Sequence, residues 1–554
     1  MRLTGHHGRV ASEVEQHDQS WGAFTTDGPW TLDRQRIRWL PAVDRLRQRA
    51  RAEVPELTTP TRLPPGSRVV IVIATLLRAL GPWAWRKRRG QYANPETGRA
   101  DVALRLRLAA EALGPSYIKL GQIISSGEGL FPAELVAEFK KCRDQVPAES
   151  FDAVRLTVEQ DLGCRLRDVF ATFDETPLAA ASIAQVHAAR LLTGEEVVVK
   201  VQRPDVSRLV RKDLRAMAWI APHLVGRIRV AALANPPALV DLFAETIVEE
   251  LDFRLEAANM LDIATMLRDL DQDGYVVPRP HPTLVTRRVL VMQRLSGFNF
   301  DDVAGMRDAG IDTEAVIRTG MIAFMEGAMI HGVFHGDLHG GNLFVMPDGR
   351  TALLDFGIVA RLSAERRLAF LRLMVGATTN DIKGQMAALR DLGALPRDTD
   401  LSAVIRDLRL DQAPIDPTTL TGDEMVKEVQ RVVRALLEYG ARLPKELMLY
   451  VKNMVFLDGA IARLAPDLDI LAEIATISML FAQRHGAQIS RDLGIDGGSF
   501  EFDFDGVKAG FGLESHVDRL TYRELQERRQ LIQKRMRSAR PDCVSTYALL
   551  GRMC

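Results

Sequence analysis

The sequence predicts an α+β chain of two lobes, a small strand-rich one followed by a larger helical one, with a helical extension in front. Three observations predict it. Short runs rich in β-branched and aromatic residues are confined to about 169–201 and 283–293. Helical periodicity dominates on either side, over about 67–165 and from about 312 onward. The later helical pattern is interrupted by two motif loops, His335-Gly336-Asp337-Leu338-His339-Gly340-Gly341-Asn342 and Asp355-Phe356-Gly357.

At 554 residues the chain is long enough for more than one domain. Its composition, 47% hydrophobic and 26% charged, is that of an ordinary globular protein. A formal net charge of zero gives no electrostatic case for a nucleic-acid partner. Of the 72 basic residues only 12 are lysine, a bias we read as compositional. The cysteines Cys142, Cys164, Cys543 and Cys554 have neither metal-ligand spacing nor the density of a disulfide framework, which fits a reducing, cytoplasmic setting. The N-terminus, with His6, His7, Arg9 and Glu13, lacks the apolar core of a secretory signal.

The elements follow in chain order. Residues 1–66 read as a basic, partly ordered segment and linker: Arg34 to Arg51 suits a basic surface helix, and the Thr- and Pro-rich run at 58–66 a linker. Residues 67–165 read as a helical extension, with helix starts at Gly114-Pro115 and Phe131-Pro132. No segment reaches the roughly 18–20 uncharged apolar residues of a membrane span. The nearest approach runs from Val69 past Arg78 to Trp83 and Trp85, closed by Arg86-Lys87-Arg88-Arg89. It suits either peripheral docking on an anionic membrane or packing on its own domain.

The strand-rich lobe, 166–295, offers strands at Val169–Phe173, Ala184–Leu192 and Val197–Val201, a turn at 193–196, a long helical stretch over 237–270, then strands at Thr283–Thr286 and Val289–Gln293. The helical lobe spans 296–490, and a charged tail, 491–554, contains an Arg-rich helix over 514–540.

The chemistry concentrates in a few positions. Asp337, Asn342 five residues on, and Asp355 eighteen residues after the first have the spacing of a phosphoryl-transfer site. In such sites one Asp faces the attacking hydroxyl, while an Asn and a second Asp hold the metal that bridges the phosphates. Lys200 closes the strand Val197-Val198-Val199-Lys200, where a kinase places its phosphate-contacting lysine. Its glutamate partner belongs on the following helix. There, helical spacing groups Glu249, Asp252 and Glu256 on one face without choosing among them. The stretch expected to cover the phosphates, Leu178 to His187, carries Ala179, Ala180, Ala181 and Ser182 where glycines are usual. Alanine tolerates positive φ poorly, so this loop implies altered nucleotide handling or none. Gly336-Asp337-Leu338-His339-Gly340 also resembles the opening of a binuclear metallophosphatase, and His335 with His339 a zinc pair, but the further ligands either site needs are not evident downstream.

Taken together, from about 100 to 470, these residues resemble the UbiB-like atypical kinases (aarF-domain-containing kinases). Lys119-Leu120-Gly121-Gln122 looks like the family's Lys-x-Gly-Gln signature, Ala179 to Ser182 its Ala-rich nucleotide loop, and Lys200 with Val201-Gln202-Arg203-Pro204 its strand lysine. Glu250-Leu251-Asp252 matches its Glu-x-Asp motif, and Glu256 falls where the family places the lysine's partner. The resemblance implies a protein-kinase-like two-lobed fold that binds ATP and Mg²⁺. Lys200, Glu256 and Asp337 are then catalytic, Asn342 and Asp355 metal ligands, and Ala179 to Ser182, Lys200 and Met292 nucleotide contacts. It further implies that Lys119, Gln122, Glu250 and Asp252 gate the cleft, with Glu250 and Asp252 as partners of Lys119. ATPase or small-molecule kinase activity is implied in preference to protein phosphorylation, in support of quinone biosynthesis or membrane-lipid homeostasis, with a lipid or quinone precursor as ligand. A non-catalytic nucleotide-sensing scaffold is the alternative. Two departures stand out. Gln293 replaces a common hinge acid, and the tail carries Arg528, Arg529, Lys534, Arg535 and Arg537, which argues against membrane insertion at that end.

Overall fold

A computed structural model describes Phe24 and residues 33–126, 132–141, 148–224, 236–379, 381–411, 435–436, 439–441, 444–494, 508 and 516–539. Phe131, Cys142, Cys543, Cys554 and most of the first thirty-two residues therefore lie outside the described residues.

The strands of the first lobe are β1 (Phe170–Phe173), β2 (Ala179–Ala180), β3 (Ala184–Leu191), β4 (Glu196–Gln202), β5 (Tyr275–Val276), β6 (Pro280–Val285) and β7 (Val289–Gln293). All but β5 form one antiparallel sheet ordered β1-β3-β4-β7-β6, with β2 added to β3. Period-two alternation decides what each face sees. Val197, Val199 and Val201 of β4, with Val289 and Val291 of β7, bury against Val154 and Val158 of the helix Phe151–Leu162. Each such valine contributes about 1.5–3 kcal/mol. Their neighbours Val198 and Lys200 therefore face the other way, into the cleft, opposite Met292 and Leu290 of β7.

The helical stretch expected over 237–270 is two helices, Pro236–Glu250 and Phe253–Asp269. The break is made by Asp252, which leaves helical geometry at φ −141° and accepts a hydrogen bond from Arg254 N, capping the second helix. Glu249, Asp252 and Glu256 thus do not share one continuous helical face.

Two further corrections concern the N-terminal third. The Arg-rich stretch expected on the surface forms a core helix, Val43–Thr58, with Val43, Ala50, Val54 and Leu57 buried. The apolar segment after it is one helix, Ser67–Arg88, running through Arg78 and Pro82. By length and composition it is apolar enough to cross a membrane, contrary to the sequence reading. Val69 and Val72 pack against Leu113 and Ala216, but Val70 and Leu77 are 65% and 69% exposed. Arg68 at its start reaches the buried Asp213 of the helix Val206–Leu224, which also accepts from Ser116 Oγ at 2.7 Å. That ties it to the helix Pro115–Ser126, which carries Lys119.

The second lobe adds β8 (Phe298–Asn299), β9 (Val333–His335), β10 (Leu343–Val345), β11 (Thr351–Leu353) and β12 (Val359–Arg361). Strands β5-β11-β10-β8 form one small sheet and β12-β9 another. The helices Thr313–Glu326, Ala364–Thr378 and Lys445–Leu464 pack around them through an aromatic cluster of Phe324, Phe334, Phe370 and Tyr450.

Candidate active site

The two motif loops sit between β9 and β12, and hydrogen bonds join them. Asn342 O accepts from Leu354 N at 2.9 Å, which brings Asn342 beside Asp355. Asn342 Nδ2 donates to Asp337 O at 3.2 Å. His335 links both loops. Its Nδ1 accepts from Asp337 N at 3.1 Å, so the other nitrogen carries the proton and donates to Asp355 O. Burial lowers its pKa and keeps the ring neutral. His335 is thus a loop clamp with both ring nitrogens in use. Gly336 is required by space, since a Cβ there would come 2.7 Å from Ile358 Cγ2.

Lys200 meets its expected partner Glu256 and a second carboxylate, Asp355. Its Nζ lies 2.7 Å from Glu256 Oε1 and 3.1 Å from Asp355 Oδ2. Burial pulls the ammonium down, but Asp355 and Glu256 outweigh it and hold its pKa above the ordinary value. Burial also lifts the Glu256 carboxyl, to about 7, against the pull of Lys200. Asp355 is held down to about 2: burial works the other way, but Lys200, Lys119 and the amide of Gly357 prevail. Its side chain is 43% exposed. The Glu256 helix also grips the Asp-Phe-Gly segment through Asn259 Nδ2, which donates to Phe356 O at 2.7 Å.

Lys119 reaches into the same cleft. Its Nζ is 2.9 Å from Glu250 Oε1, and Asp337 and Asp355 are close enough to raise its pKa further. Asp252 does not join it: its carboxylate is taken by the guanidinium of Arg254, at 2.9 and 2.6 Å, because Asp252 serves as the helix cap. Gln122, one turn on from Lys119, is half-buried. Gly121 lets the helix sit flat on the Phe139 ring, as a Cβ would come 2.3 Å from that ring. Gly121→Ala is expected to displace the Lys119 helix and cost about 1–3 kcal/mol. A denaturant melt measures this, and an unchanged midpoint would contradict the packing argument.

The alanine loop is accommodated without strain. Ala179 and Ala180 pair with Val186 and Gln185, and Ala181 N closes the turn onto Ala184 O at 2.8 Å. No residue from 179 to 184 has positive φ, so glycine is not demanded there. Ser182 is buried beneath the turn. Arg203 holds the turn, donating from Nε to Ala181 O at 2.9 Å and from a terminal nitrogen to Glu149 at 2.8 Å. Met292 lies buried on β7 opposite Val198, on the cleft face of the sheet.

The residue sequence reasoning missed is Lys452. It projects from the helix Lys445–Leu464 and its ammonium pairs with Asp337 Oδ1. Burial would raise the Asp337 pKa, but Lys452, then Lys119 and His339, drive it far below the ordinary carboxylate range. Next to it, the fully buried Asn453 accepts from Leu338 N at 3.0 Å and donates to His335 O.

A strand lysine bonded to a helix glutamate, below a hairpin turn and above paired Asp–Asn and Asp-Phe-Gly loops, defines a protein-kinase-like fold. The family model and the sequence relatives agree. The model of the ABC1 atypical kinase-like domain matches residues 141–389. The chain is 35% identical to the uncharacterized protein Rv0647c of Mycobacterium tuberculosis, over 65% of this chain and 74% of that protein. It is 33% identical to the probable protein kinase UbiB of Azotobacter vinelandii, over 71% and 73%. It is 32% identical to the aarF domain-containing protein kinase At5g05200, chloroplastic, of Arabidopsis thaliana, over 67% and 73%. A solved structure of Rv3197 with erythromycin from Mycobacterium tuberculosis aligns at a TM-score of 0.37 and 22% identity, covering 58% of this chain and 84% of that one. The chain belongs to the UbiB-like, aarF-domain-containing family of ABC1 atypical kinases.

Proposed function

We propose that this chain is an ATP- and Mg²⁺-dependent atypical kinase or ATPase that serves quinone (ubiquinone or menaquinone) biosynthesis or membrane-lipid homeostasis. The observation that carries this is the joined set Lys200, Glu256 and Asp355, with Nζ to carboxylate distances of 2.7 and 3.1 Å. A buried lysine held ionised between two carboxylates is poised to meet phosphate oxygens. The donor chemistry fits a hard divalent cation, because the ionised, cleft-facing Asp355 and the adjacent Asn342 offer oxygen ligands. A bound Mg²⁺ would supply neutralisation of phosphate charge. Lys200 orients the phosphates, Glu256 holds Lys200 in place, and Asp337 orients the attacking water or hydroxyl. The turn of Ala179 to Ser182 covers the nucleotide, and Met292 lines its base side.

Lys119, paired with Glu250 and near both motif aspartates, gates this cleft. The same contact favours a second reading, a nucleotide-sensing scaffold with little turnover. The exposed Val70, Ile71, Ile73 and Leu77, followed by Arg86, Lys87, Arg88 and Arg89, suit docking on an anionic membrane surface where a lipid or quinone precursor resides. The test is ATP hydrolysis by the full chain, with and without Mg²⁺ and phosphatidylglycerol vesicles. Turnover that requires Mg²⁺ and rises with vesicles is expected. Nucleotide binding without turnover in any condition would favour the scaffold, and no Mg²⁺-dependent binding would sink both.

A further inference from the structure

We propose that Lys452 and Asn453 form the positioning element of the transfer site, holding Asp337 and its loop from a helix outside the segment matched by the family model. This rests on the phosphoryl-transfer reading above.

The geometry is specific. Consecutive residues on a helix project about 100° apart. Asn453 therefore points under the loop while Lys452 points to the cleft rim. Asn453 is completely buried and both ends of its amide are spent on loop backbone, Leu338 N and His335 O. A buried amide is costly unless so satisfied, and here satisfaction requires one loop conformation. The carboxylate on that loop is then fixed by Lys452, whose side chain is 16% exposed against 21% for Asp337. Leu449, Tyr450 and Leu457 of the same helix are buried in the main core, which fixes its register beneath the loop.

The groups that face the Asp337 carboxylate are Lys452 from this helix, Lys119 from the extension, His339 from its own loop and, more distantly, Asp355. Lys119 is already engaged by Glu250, and Lys200 by Glu256 and Asp355. Lys452 is thus the cation committed to Asp337. A surface ion pair would serve equally well anywhere on the molecule. This one sits on the residue that faces the acceptor, with its neighbour holding that residue's backbone.

The experiment compares Lys452→Met, Asp337→Asn and the double variant in the full chain. Lys452→Met keeps most of the side chain's length without its charge and is expected to fold with a lowered melting midpoint, since Asp337 loses its main counter-charge. It is expected to lower kcat for Mg²⁺-ATP by about 10²-fold through a misplaced carboxylate, with KM for ATP little changed. The double variant is expected to be no slower than Asp337→Asn alone, since the two act as one unit. Propylamine is expected to restore part of the turnover of Lys452→Ala. Should Lys452→Met not fold, Lys452→Gln reads the same point, with kcat expected to fall at unchanged KM. Turnover lost in Asp337→Asn but kept in a folded Lys452→Met overturns this inference alone. Full turnover in Asp337→Asn overturns the transfer reading and this inference with it.

Discussion

Asp337→Asn is expected to lower ATP turnover by about 10²–10⁴-fold while leaving nucleotide affinity within about twofold. The substitution keeps the shape of the side chain and removes its charge. Nucleotide affinity should persist because the residues assigned to the phosphates and metal, Lys200, Asn342 and Asp355, are untouched. Lys452, Lys119 and His339 hold the Asp337 carboxyl far below its ordinary pKa, so it is ionised across the working range of the protein. A carboxylate held so low is a poor proton acceptor. Its contribution is then orientation of the attacking group and fixed negative charge. Single-turnover kinetics with a parallel binding titration checks this. Equal loss of binding and turnover would place Asp337 in ground-state recognition instead.

The second large effect is expected on stability. Lys200→Met removes the cation between Glu256 and Asp355 and leaves the Glu256 carboxyl, 4% exposed, without its partner. Breaking one side of a buried pair costs about 3–5 kcal/mol. Burial already lifts Glu256 to about 7, so protonation of the orphaned acid should bring the loss to the lower end of that range. A Lys200→Met/Glu256→Leu double variant is expected to recover most of the stability, because the buried acid is gone and the remaining Asp355 carboxylate is 43% exposed to water, and to recover no nucleotide binding. Denaturant melts and a binding titration separate the two. Recovered binding in the double variant would show that Lys200 acts only as a structural ion pair.

Much of this site is legible in the sequence because its motifs are local. Asp337 and Asn342 lie on one loop, and the short β10–β11 hairpin returns the chain so that Leu354 N meets Asn342 O and Asp355 follows. Lys200 is placed by strand alternation, which is readable from Val197, Val199 and Val201. Elsewhere local rules misled. Helical spacing grouped Glu249 with Asp252 and Glu256, but a single Asp–Arg cap ends the first helix at Glu250 and re-aims everything after it. That cap also removes Asp252 from Lys119. The argument from alanine and positive φ assumed a glycine-type turn, whereas the observed turn has no positive φ and needs none. The apolar run after Val69 looked too short because Arg78 was counted against an uncharged span. Inside a helix of 22 residues, which runs on through Pro82, Arg78 does not interrupt it.

Lys452 was harder to see. It lies 115 residues from Asp337 with no motif between them. The available signal was composition: lysine is scarce here, 12 of 72 basic residues, and Lys452-Asn453 interrupts the apolar run from Leu447 to Leu457. Three of those twelve lysines, Lys119, Lys200 and Lys452, converge on the cleft.

By itself the sequence determined the family, the order of lobes and the residue types at the Lys200, Glu256, Asp337, Asn342 and Asp355 positions. Residue type and short spacing are enough for those, because hairpins and loops bring near neighbours together whatever the rest of the chain does. Only the tertiary structure decided which acid Lys119 meets, which face of the helix Ser67–Arg88 stays uncovered, and which cation and amide hold the Asp337 loop. Those depend on how helices far apart in sequence pack, and packing is set by the summed burial of whole faces, to which no single motif gives access.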